Sequence, residues 1–205
     1  MLKLYFAPGT CAMAAHIALE EAGANYEAVR LDFANSEQKQ PQFLAINPKA
    51  RVPALVTDQG VLTETPAILA YVAQSFSEAK LAPTEPYAFA RAQAFNSYLC
   101  STVHVAHAHK TRGTRWTDDA AAVESLKHKV PQNMADCFAL IERDMLAGPW
   151  VLGAAYSVCD AYLFTIACWL GGDGVDIARF PAVLAHFQRM SERPAVQKVL
   201  ALHWA

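Results

Sequence analysis

No stretch of the 205 residues is long and apolar enough to cross a bilayer, and the start, Met1-Leu2-Lys3-Leu4-Tyr5, is too short and strand-like for a signal peptide. The expected compartment is the cytoplasm. Cysteine is sparse and irregular: five residues, an odd number with no CxxC pair, which excludes a disulfide framework and a cysteine-rich zinc site. Charge of one sign is missing too. Seventeen basic against nineteen acidic residues leave a formal charge of −2, which gives no attraction for nucleic acid or an acidic membrane. Internal repeats and low-complexity segments are absent. What remains is 54% hydrophobic and 18% charged, the composition of a folded globular protein with a sizeable core.

Up to about Phe76, extended and helical signals alternate, which predicts an α/β unit. Leu2 to Phe6 reads as a strand, Ala12 to Ala22 as a helix stopped by Gly23, and Tyr26 to Leu31 as a second strand, together a right-handed βαβ crossover. Val52-Val56 and Val61-Thr63 flank the turn-rich Thr57-Asp58-Gln59-Gly60 and predict a hairpin. Glu64-Thr65-Pro66 then opens a helix over Ala67 to Gln74, with Thr65 as N-cap and Pro66 at the first helical position. Polar residues and prolines bracket a linker, and helical periodicity covers Tyr87–Lys110, Asp118–Leu146, Val158–Leu170 and Pro181–Glu192. The expected division is an N-terminal domain over residues 1–77, a linker over 78–86 and an all-helical domain over 87–205.

Chemistry concentrates at the strand ends. Pro8-Gly9-Thr10-Cys11 lies between the first strand and first helix, so the thiol meets the positive end of a helix, which favours thiolate. A packed, inert cysteine is the competing reading. Cys100, Cys137, Cys159 and Cys168 fall in apolar helical patterns and are expected in the core. Pro53 cannot donate to a sheet ladder, so Val52-Pro53 marks either a strand entry or an edge with free backbone groups. Glu64-Thr65 is either a simple cap or, with its free N–H groups and acidic side chain, a seat for a carboxylate and an ammonium. His104 and His107 share a helical face. No carboxylate or cysteine near them completes a cluster, so no metal is expected.

Taken in order, these motifs resemble the glutathione S-transferase superfamily: a thioredoxin-like α/β domain followed by an all-α domain, across essentially the whole chain. Cysteine in a Pro-Gly-x-Cys context resembles the bacterial beta class. The resemblance implies Cys11 as catalytic residue and glutathione as co-substrate. Thr10, Arg51, Val52, Pro53, Glu64 and Thr65 would form its site, with Val52-Pro53 cis and Val52 bonding the cysteinyl backbone. It places a histidine, here His104, opposite the cysteine. The usual acidic and lysine neighbours are replaced by Thr102 and Val105, and Arg51 replaces a glutamine. His107, Arg112, Arg115 and Trp116 would border the second-substrate pocket. Ser157-Val158-Cys159-Asp160 fits the family's capping box, which makes Asp160 structural. The implied activity is conjugation of glutathione to small electrophiles in detoxification, or thiol–disulfide exchange, by a homodimer. A non-catalytic scaffold and a glutathione-dependent isomerase or dehalogenase are the alternatives.

Overall fold

Local sequence signals set the first elements of the computed structural model, which describes residues 1–204. Ala205, the last residue of the expected helical domain, lies outside the described residues. Strand β1 (Leu2–Phe6) leads through the Cys11 turn into helix α1 (Ala12–Glu21), and β2 (Tyr26–Arg30) returns parallel to β1, with Leu4 opposite Ala28. Gly23, at φ 62°, ends α1, and the Ala24 N–H reaches back to the Leu19 carbonyl at 3.0 Å, a left-handed C-terminal cap. After the one-turn helix α2 (Pro41–Leu44), strands β3 (Ala54–Thr57) and β4 (Gly60–Thr63) form the expected hairpin around Asp58-Gln59. Strand order is β2-β1-β3-β4, with β3 antiparallel to β1, and α3 (Thr65–Ser75) completes the thioredoxin-like unit.

Two caps differ from expectation by one residue. Cys11 rather than Thr10 is the N-cap of α1; the Thr10 hydroxyl donates to the Ala7 carbonyl (2.7 Å) and accepts from the Ala12 N–H (3.4 Å), so it braces the turn from outside the helix. Glu64 rather than Thr65 caps α3, at φ 72°, which places Thr65 at the first helical position and Pro66 at the second.

The rest is helical. The expected helix Tyr87–Lys110 is three pieces: α4 (Pro86–Tyr98), a π-helical turn at Leu99–Val103, and α5 (His104–Arg112). Such turns re-aim side chains and recur at functional sites. Helices α6 (Ala120–Leu140), α7 (Val158–Ala167), α8 (Pro181–Ser191) and α9 (Pro194–His203) follow; α9 was not anticipated beyond the Arg193-Pro194 break. Every residue of α7 is buried, and its start is held by the predicted box: Asp160 accepts from the Ser157 N–H (2.7 Å), the Val151 N–H (2.7 Å) and His186 Nε2 (3.0 Å). One apolar cluster runs from Leu4, Leu19 and Leu69 through Phe95 and Leu99 to Val158 and Tyr162, so the α/β unit and the helices share a continuous core. A second contact locks α1 to α7 through Met13, Ile17, Ala161 and Phe164. Among the described residues no helix is long and apolar enough to cross a membrane.

Candidate active site

Three backbone devices converge at the strand ends. The peptide bond Val52-Pro53 is cis, and the β3 ladder begins only at Ala54, which leaves Val52 outside the sheet. Among the described residues no side chain caps α3, which leaves its first-turn amides without a side-chain acceptor. Cys11 opens α1 nearby. Two of the four non-glycine residues with positive φ among the described residues, Ala50 (54°) and Glu64 (72°), lie on this same rim. Left-handed backbone costs an L-residue roughly 1–2 kcal/mol, and strain of this kind concentrates where ligands are held.

These elements wall one side of a cleft of roughly 700 Å³, and α5, the Gly113–Arg115 turn and the end of α7 wall the other. Thr10, Cys11, Arg51, Val52, Pro53, Glu64 and Thr65 line the first wall; His104, His107, Arg112, Arg115 and Trp116 line the second. Every site residue singled out in the sequence therefore borders one cavity. Its charge is lopsided: Lys39, Lys49, Arg51, Arg112 and Arg115 face a single carboxylate, Glu64, among the described lining residues. The cleft suits a ligand of net negative charge.

Cys11 is 9% exposed, and its thiol donates to the Val52 carbonyl at 3.6 Å. Burial pushes its pKa up to about 11, only partly offset by the Thr65 hydroxyl and the Arg112 charge. The expectation that the helix end would favour thiolate is thereby corrected: burial is the largest influence on this sulfur and favours the protonated thiol, which serves as a donor. His104 lines the wall opposite Cys11, and among the described residues it makes no hydrogen bond to the thiol. Burial, then the charges of Arg112, His107, Arg51 and Arg115, push His104 down to about 4, so it is neutral at pH 7.

Glu64 already holds an ammonium. Lys49 Nζ pairs with its Oε1 and also donates to Thr63 Oγ1 at 2.7 Å. Lys49 was missed because its partner lies fifteen residues on, across the hairpin. Trp169 was missed as well. Its Nε1–H donates to the Gly9 carbonyl (2.9 Å), joining the end of α7 to the Cys11 turn, and its ring packs against His104 and His107 at 5.0 and 4.3 Å. Gln38, Asn47 and Tyr162 line the cleft without a motif to announce them. Cys100, expected in the core, is half-buried on the cleft wall within the π-helical turn; Cys137 and Cys159 are buried as expected, and Cys168 is half-buried against the core. Among the described residues no group of three or more His, Cys, Asp and Glu side chains could hold a metal ion.

A thioredoxin-like unit whose first helix begins at a thiol, packed with a helical unit around a cleft of cationic lining, is the architecture these elements define. Residues 1–74 match the family described as glutathione S-transferase, N-terminal domain. The crystal structure of a glutathione transferase homolog from Sulfitobacter, with glutathione bound, is 48% identical, with a TM-score of 0.96 over 98% of each chain. A bacterial beta class enzyme, the Sphingomonas chungbukensis glutathione S-transferase, is 33% identical with a TM-score of 0.85 over 98% of each chain. Glutathione S-transferase GstA of Escherichia coli O157:H7 is 29% identical over 203 residues, 98% of each chain. The chain belongs to the glutathione S-transferase family and lies near its beta class.

Proposed function

We propose that this chain conjugates glutathione to small electrophiles, with Cys11 as a hydrogen-bond donor to the glutathione sulfur. The observation that carries this reading is the convergence of the Val52-Pro53 edge, the open N-terminus of α3 and the Cys11 turn on one cationic cleft. In the proposed pose, the γ-glutamyl carboxylate takes the Thr65 hydroxyl and the α3 amides, and its ammonium joins Glu64 in place of Lys49. The cysteinyl backbone pairs with Val52 beside Pro53, the glycyl carboxylate reaches Arg51, and Thr10 shapes the turn. The sulfur then lies against Cys11. A buried thiol held protonated is a poor nucleophile but a usable donor, so it stabilises a glutathione thiolate poised to attack. Exchange through Cys11 is the slower side reaction, because it needs the thiolate that burial disfavours.

The electrophile occupies the opposite wall, between His104, His107, Arg112, Arg115 and Trp116. The two units, residues 1–77 and 87–205 joined by 78–86, are read as domains of a cytoplasmic homodimer with a detoxifying role. No metal, nucleic acid or membrane enters this reading. A scaffold role has no use for a thiol at the helix start, and an isomerase or dehalogenase would share the glutathione site and differ only on the helical wall.

Conjugation and disulfide-reduction assays, run beside intact mass after incubation with oxidised glutathione, test it on wild type and Cys11→Ala. Conjugation should fall about tenfold in the variant, the worth of one hydrogen bond of about 1.4 kcal/mol, while thiol transfer and any adduct vanish. Wild type that neither conjugates nor acquires an adduct would overturn the enzyme reading.

A further inference from the structure

Asp173 is a buried carboxylate behind the cleft wall, its side chain fully inaccessible. It accepts a hydrogen bond from His107 Nδ1 at 2.7 Å, with the Lys110 ammonium 3.5 Å from its other oxygen. A carboxylate offers no proton, so Nδ1 carries one and the second nitrogen of the ring, Nε2, holds the free lone pair. His107 lines the cleft, and with Nδ1 committed to Asp173, Nε2 is the nitrogen left for a ligand. Its ring is held at 23° to Trp169, which is itself bonded to the Gly9 carbonyl two residues before Cys11. The imidazole is thus held in one tautomer and at one tilt on the cleft wall. Among the described residues His104, one turn earlier, has no such carboxylate.

From this geometry we infer that His107 is a catalytic proton carrier, positioned by Asp173, for electrophiles whose attack by glutathione releases an oxyanion, such as epoxides. The inference rests on the glutathione reading above. Nε2 takes the proton of the glutathione S–H, leaving the thiolate that Cys11 stabilises; the thiolate attacks carbon, the S–C bond forms, the C–O bond breaks, and its electron pair stays on oxygen. The imidazolium, balanced by Asp173, then passes that proton to the alkoxide and returns to neutral. The net change is addition of S–H across the ring, with no other reactant. Arg112 and Arg115, on the same wall, suit acceptors that also carry an acidic group. Asp173, from the segment after α7, bonds His107; the His104 ring of its own helix lies 6.5 Å away, and Lys110 reaches the far oxygen of Asp173.

Two electrophiles separate proton delivery from proton removal, because an aryl halide releases a halide that needs no proton. In His107→Gln, whose amide still donates to Asp173, both rates should fall at pH 7. By about pH 9, above the ordinary thiol pKa of about 8.5, glutathione ionises unaided. The aryl halide rate should then recover to within about threefold of wild type, while the epoxide rate stays about a hundredfold low. Asp173→Asn should show the same split, with its urea midpoint reporting fold integrity. Parallel loss on both substrates at every pH, or no loss on either, would overturn the inference. Absence of glutathione binding by wild type would instead overturn the reading beneath it.

Discussion

Acid should loosen the clasp between α1 and the C-terminal helix. His16 Nδ1 and His203 Nε2 lie 3.2 Å apart, both residues at most 1% exposed, their rings tilted against Phe6 with centroids 5.0 and 4.9 Å away. Each is pushed down to about 4 by burial first; Lys198 and Arg30 add to this at His16 and His203 respectively, and Glu20 opposes it at His16. An unfolded histidine titrates near 6.5, so below that pH the unfolded chain takes up protons that the native pair refuses. The stability this neutrality confers is complete above pH 6.5 and drains as pH falls toward 4. At about 1.4 kcal/mol per unit, a gap of about 2.5 units comes to about 3.5 kcal/mol per histidine, a large share of the usual range of roughly 5–15 kcal/mol. Urea denaturation from pH 8 to 4.5 measures it on wild type and His203→Gln, which removes one titrating ring and keeps a polar partner for His16. The wild-type stability should drop by several kcal/mol across this window, and the variant should lose about half as much. Equal pH dependence in the two proteins would refute the reasoning.

Other outcomes follow from single contacts. Asp160→Ala strips the acceptor from two backbone amides, the Ser157 hydroxyl and His186, and should cost about 3–5 kcal/mol in urea denaturation; a loss below 1 kcal/mol would contradict the role given to this carboxylate. Gly9→Ala puts a methyl group 3.2 Å from the Trp204 ring at a φ of +67°, so stability should fall by about 1–2 kcal/mol and glutathione affinity should fall with it. Unchanged affinity would show that the turn before Cys11 does not shape the site.

The order of strands and helices was legible because it is local: apolar runs, Gly23, the Asp58-Gln59 turn and the Ser157 box each announce themselves within a few residues. The cleft residues on the α/β wall were legible for the same reason, each sitting beside a turn or a helix start. Asp173 was not, since nothing near His107 in sequence signals a carboxylate sixty-six positions later. The His16–His203 pair spans almost the whole chain and joins an unpredicted helix, so only the fold reveals it. At Cys11 the position was readable and its protonation was not. The helix-end charge is a local feature, whereas desolvation depends on what the chain packs around the sulfur.

Every chemical step proposed above begins with glutathione seated in the cleft. Calorimetric titration of reduced glutathione into wild type, Cys11→Ala and Glu64→Gln measures it. One site per chain is predicted, weakened only a few-fold in Cys11→Ala, because the peptide backbone and charges carry the binding. Glu64→Gln should weaken it about tenfold, through loss of a charge-assisted bond of about 1.5 kcal/mol to the ammonium. No heat of binding with wild type, or full affinity in Glu64→Gln, would contradict the account.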